Sequence, residues 1–123
     1  MAMIERNLLK LDAEATDAYA HLFQAFADPT RLAIVQHLSS GEHRVRDLVE
    51  HMGFAQSTVS MHLGFLVECR LAVARPDGPA TWYALAHPEA LRVVTVAAET
   101  LLAATGKDLV LCEHLRSERK GAA

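Results

Sequence analysis

Between Ala55 and Arg70 the chain carries Gln56, Ser57, Thr58, Ser60, Met61 and His62. Such side chains can read a duplex. Gln makes two hydrogen bonds to an adenine edge, Ser and Thr reach phosphates or bases, and Met61 offers apolar contact. Arg44 and Arg46 upstream and Arg75 downstream are guanidinium groups suited to phosphates. The sulfur chemistry is sparse. Cys69 and Cys112 are too few for a secreted disulfide scaffold. Cys112 and His114 form a Cys-x-His pair that can chelate in an extended tail but points two ways on a regular helix. The sequence has no Gly-rich phosphate loop, no paired acid and base and no nucleophile motif, so an enzyme is not expected.

The elements that must position these residues follow from spacing. From Ile4 to Ala27, Leu8, Leu11, Ala15, Ala18, Leu22 and Ala25 recur at steps of three and four, an apolar helical stripe. Asp28 can cap a second helix, and Pro29 suits its first position because the missing donor costs nothing there. Ser39-Ser40-Gly41 ends it. A third helix spans about Arg44 to Met52, Gly53-Phe54-Ala55 turns, and a fourth runs from about Gln56 to Arg70. Its inward face is Val59, Leu63, Leu66 and Val67, and Ala55 leaves its start weakly capped. Leu71 to Arg75 and Thr81 to Leu85 read as strands around Pro76-Asp77-Gly78-Pro79, a hairpin whose loop is slightly longer than the tightest kind. A last long helix occupies 88–105 and is apolar on nearly every side.

The chain has 123 residues, 51% hydrophobic and 22% charged, which is one globular domain without repeats or linkers. Its net charge of −3 excludes coating of nucleic acid by bulk charge but not a local basic patch. The longest apolar stretch, Ala90 to Ala104, contains Arg92 and Glu99 and falls short of the ~20 residues a membrane span needs. A cytoplasmic protein without membrane association is expected. The first and last long helices have apolar faces that so short a chain cannot cover, which predicts a homodimer built from them. The expected architecture is therefore mainly α with a β-hairpin wing. Segments 4–27 and 88–105 form dimerisation helices, 44–70 a helix-turn-helix, 71–85 the wing and 106–123 a tail. In a winged helix-turn-helix the second helix of the pair enters the major groove.

Ala27-Asp28-Pro29-Thr30-Arg31-Leu32, then Gln56-Ser57-Thr58-Val59-Ser60-Met61-His62-Leu63, then Trp82-Tyr83-Ala84-Leu85, resemble the ArsR/SmtB family of bacterial metal-responsive repressors over about residues 15 to 105. The resemblance implies a homodimer on a double-stranded operator with an inverted repeat, released when a ligand binds. Many relatives carry a basic residue after His62-Leu63, where this chain has Gly64-Phe65. Fewer phosphate contacts and a shallow salt dependence are expected.

The resemblance also directs the search for a sensor site. The family's Cys-x-Cys site in the third helix is replaced by Arg44 and Arg46, which cannot ligate a metal. The site on the last helix is broken, because His87, Glu89, Thr100 and Ala103 stand at its positions. The pattern of the CmtR-type cadmium/lead sensors is closer. Two of its three thiolate positions survive as Cys69 and Cys112, with His114 as a further donor, and Phe65 stands at the third. Thiolates favour a soft ion such as cadmium, lead or zinc. The alternative is a regulator without a metal site that answers a thiol/redox or other signal. His62 lies about 10 Å along the helix from Cys69, too far to share an ion. His21, His37, His43 and His51 are scattered in sequence, and solvent-facing or hydrogen-bonded roles are expected for them.

Overall fold

The computed structural model describes residues 13–106 together with 108, 112 and 113. The expected start of the first helix at Ile4, and His114 with most of the tail, lie outside the described residues. Two compact units are present, Met1–Ala86 and His87–Ala123.

The first unit opens with helix α1, Ala13–Ala27, and turns at Asp28 into α2, Pro29–Leu38. Asp28 is extended (φ −82°, ψ 121°), and its Oδ1 accepts the Arg31 N–H at 2.9 Å, the expected cap. Arg31 closes the corner from the other side. Its Nε and NH2 donate to the carbonyls of Ala25 and Gln24, which the end of α1 leaves without helical partners. The next pair is α3, Val45–Met52, and α4, Gln56–Glu68. Gly53 ends α3 at φ +76°, a left-handed conformation that costs glycine little. Ala55 gives α4 no side-chain cap. Ile34, Val35, Leu38, Leu48, Val59, Leu63 and Leu66 form the core of this unit. Each contributes about 1.5–3 kcal/mol on burial, which holds α4 against α2 and α3 without help from its start.

Strands β1, Ala72–Asp77, and β2, Ala80–Leu85, pair antiparallel with Ala72 opposite Leu85 and Asp77 opposite Ala80. This corrects the expected loop. Pro76 and Asp77 continue the strand, and only Gly78-Pro79 turn, with Gly78 at φ +59° as a Gly-first two-residue hairpin requires. On its other side β2 bonds His43 in both directions, His43 N–H to the Tyr83 carbonyl at 3.0 Å and Tyr83 N–H to that of His43 at 2.8 Å. The alternation that turns Tyr83 toward His43 turns Ala74 and Pro76 outward on β1.

The second unit contains α5, Pro88–Thr105, which has the expected bounds and no buried residue. Val93 is 69% and Leu101 63% exposed. On α1, Tyr19 and Phe23 are likewise exposed. Among the described residues no helix is long and apolar enough to cross a membrane.

Candidate nucleic-acid interface

Helix α4 has a dry side and a wet one. Val59, His62, Leu63 and Leu66 face the core at steps of three, one and three. Gln56, Ser57, Ser60, Met61 and Gly64 are exposed on the opposite side, and Thr58 is half-buried. The polar residues expected to meet a base edge therefore share the outer surface, with the sole exception of His62.

His62 is 5% exposed, which corrects its placement on the reading face. Its Nδ1 lies 3.3 Å from Arg31 NH1. Arginine can only donate, so Nδ1 accepts and the ring proton sits on Nε2, 3.8 Å from Asp28 Oδ1. The Arg31 guanidinium also lies 4.2 Å from the centre of the Phe65 ring. One arginine thus bonds the end of α1 and two side chains of α4, and His62 orients the reading helix from behind. The step from Val59 to His62 to Leu63 was the signal in the sequence.

Arg44 precedes α3 and does not point freely at a ligand. Its Nε and NH2 grip the Asp47 carboxylate at 3.0 and 2.9 Å, and its backbone N–H donates to the same group at 2.9 Å. The guanidinium, then the backbone N–H, hold the Asp47 carboxyl well below the usual carboxylate range. The same guanidinium stacks 4.9 Å from the Trp82 ring centre, joining α3 to the wing. Arg75 is bound through Nε to Glu42 at 2.9 Å, and that carboxylate raises its already high pKa. Arg46 is exposed and forms no ion pair among the described residues.

Arg44, Arg46 and Gln56 line one open groove with Pro79, Ala80 and Thr81 of the wing. The helix-turn-helix and the hairpin therefore present their polar groups to a common space, where an α-helix start and a β-hairpin can contact one duplex together. Cys69 follows α4 as its C-cap, and Cys112 belongs to the second unit. Both are half-buried free thiols.

A three-helix core with a reading helix and a hairpin wing defines a winged helix-turn-helix DNA-binding regulator. Residues 28–73 match the model for "Bacterial regulatory protein, arsR family". A probable mercury resistance operon repressor of Streptomyces lividans is 37% identical over 102 residues, 83% of this chain and 81% of that protein. The transcriptional regulator CmtR of Mycobacterium tuberculosis is 38% identical over 86 residues, 70% of this chain and 73% of that one. Among solved structures, M. tuberculosis Rv0081 superposes with a TM-score of 0.69 at 26% identity, over 80% of this chain and 99% of its own. The homodimeric winged helix-turn-helix domain of Mycobacterium bovis Mb0332 gives a TM-score of 0.63 at 26% identity, over 79% and 90%. The chain belongs to the ArsR family of transcriptional regulators, and it is a DNA-binding protein, not an enzyme.

Proposed function

We propose that this chain is a cytoplasmic homodimeric repressor of a metal-resistance operon, released from an inverted-repeat operator by a soft metal ion. The DNA-binding half rests on one observation: the groove shared by Arg44, Arg46, Gln56 and the wing tip. Gln56, Ser57, Thr58 and Ser60 read base edges or phosphates, Arg46, in no ion pair among the described residues, supplies a cation, and Arg44 and Arg75 reach phosphates only by leaving their carboxylates. Pairing through α1 and α5 covers their exposed apolar side chains, and two-fold symmetry then sets two half-sites on one face of the duplex.

The ligand half rests on the donor set. Cys69 and Cys112 are both free, and thiolates suit cadmium, lead or zinc. In this reading Cys69, Cys112 and His114 hold the ion, which ties the end of the reading helix to the tail of the partner subunit and changes the spacing of the two heads. The mercury-operon and CmtR relatives support it. The freedom of both thiols also favours a second reading, release by thiol oxidation.

The test titrates cadmium, lead and zinc into the repressor–operator complex. Release that disappears in the Cys69→Ser, Cys112→Ser double variant is expected. Release by a thiol oxidant but by none of the metals selects the second reading. Failure to retard any fragment of its own upstream region refutes DNA binding.

A further inference from the structure

The three histidines that are six and eight residues apart in sequence, His37, His43 and His51, converge in space. His37 is in the last turn of α2, His43 is the residue bridged to β2, and His51 is in the last turn of α3. One ring nitrogen of each lies within 4.8 Å of the others, and the ring centres stand 4.9, 5.1 and 5.8 Å apart. Scattered in sequence, these three have the hydrogen-bonded roles expected of them, and the fold adds their convergence. From this geometry we propose a second metal site, separate from the cysteines, in which His37, His43 and His51 hold one zinc-class divalent ion.

The ring orientations suit that task. His43 Nδ1 lies 2.8 Å from the Gly41 carbonyl, which can only accept, so Nδ1 carries the proton and Nε2 keeps its lone pair. A backbone acceptor behind the ring is the arrangement that fixes a metal-binding histidine. His37 Nε2 and His51 Nδ1 face each other at 3.0 Å, two nitrogens sharing one proton where an ion would take both lone pairs. Tetrahedral coordination at roughly 2.0–2.1 Å puts ligand nitrogens about 3.4 Å apart. The rings need move by little more than an ångström, and the exposed His51 ring is free to do so. Burial, then the neighbouring His43 and His51, lowers the pKa of His37, the direction that favours an unprotonated imidazole. Solvent supplies the fourth ligand, because the cluster is only partly buried.

Three imidazoles without sulfur select zinc, nickel, cobalt or copper(II) over the hard ions that prefer oxygen. The bound ion pins the ends of α2 and α3 to the residue that bonds β2, and so braces the root of the wing against the helix-turn-helix. It does not touch the outer face of α4.

The experiment uses the full chain carrying Cys69→Ser and Cys112→Ser, so failure of the thiolate site cannot be mistaken for failure of this one. Zinc titrated calorimetrically should bind at one ion per chain and raise Tm. Cobalt(II) should give visible d–d bands without thiolate charge-transfer absorption. His51→Gln, at an exposed position, should weaken uptake at least tenfold while the circular dichroism spectrum is kept, and His43→Gln should do the same. No saturable uptake by the cysteine-free chain overturns the proposal. So does uptake that persists unchanged in the His43→Gln, His51→Gln double variant.

Discussion

Replacing Glu42 by Gln should make DNA binding more sensitive to salt. In the free protein the Glu42 carboxylate holds Arg75 Nε at 2.9 Å, and both groups are exposed. The pair therefore contributes little to the fold, and Glu42→Gln should leave the unfolding midpoint unchanged. Its effect is on counterions. A cation already paired with a carboxylate releases few ions when it meets a phosphate, whereas a freed one counts fully. The slope of log K against log salt changes by about −0.9 for each added phosphate contact. One Arg75 per chain and two chains per operator give about −1.8 of additional slope. Between about 50 and 200 mM salt, that is about a tenfold larger loss of affinity than the parent shows. Fluorescence anisotropy on a labelled operator across that range measures it. The other cations contribute equally to both proteins, so the difference isolates Arg75. Adding Arg75→Gln to the variant should restore the parental slope. Identical slopes for parent and Glu42→Gln would refute the reasoning, because Arg75 would then not be withheld from the phosphates by Glu42.

Gly64 is exposed in α4, and a Cβ there meets nothing within 4 Å, so Gly64→Ala should stabilise the protein by up to ~1 kcal/mol in urea unfolding. Removing the Asp28 cap by Asp28→Ala should cost about 1 kcal/mol, and Asp28→Asn should recover most of it. The Arg31 N–H holds the Asp28 carboxyl below its ordinary pKa, so the folded state binds fewer protons than the unfolded one; this stability is present above about pH 4 and lost as pH falls through the lowered folded value. The acid limb of the stability curve should therefore be shallower in Asp28→Ala. His62→Ala should cost about 1–3 kcal/mol, since Arg31 loses a partner in a packed site, yet should leave base preference unaltered; a changed operator preference would return His62 to the reading face. Val96→Asp on α5 should yield monomers by sedimentation and weaken operator binding; a dimer of undiminished strength would remove α5 from the contact.

Much of the fold could be read in the chain because its local signals agree. Asp28-Pro29 is both a cap and a helix start, Gly53 supplies the positive φ between α3 and α4, and Ile34, Val35, Leu38, Leu48, Val59, Leu63 and Leu66 of α2 to α4 pack where their phase places them. The hairpin turn was harder. Pro76-Asp77-Gly78-Pro79 has turn chemistry at every position, but Pro76 occupies a strand site that asks for no N–H, so two of the four residues extend β1. Side-chain partners were less visible still. Nothing in sequence distance says that Glu42 holds Arg75, or that His37, His43 and His51 meet, because three different elements bring them together. His62 was misplaced for the opposite reason. Its polarity suggested the groove, while its helical phase put it inside, where Arg31 satisfies it.

The outward nitrogen of Pro76 bears on how the wing avoids unwanted strand pairing. A two-stranded sheet with an uncovered margin invites further strands, from another copy or from a partly unfolded chain, to continue its ladder. On β1 the outward positions are Ala72, Ala74 and Pro76, and the last has no hydrogen to offer. An incoming strand would find the row of donors broken near the tip, so the wing can protrude toward a duplex without becoming a template for stacking.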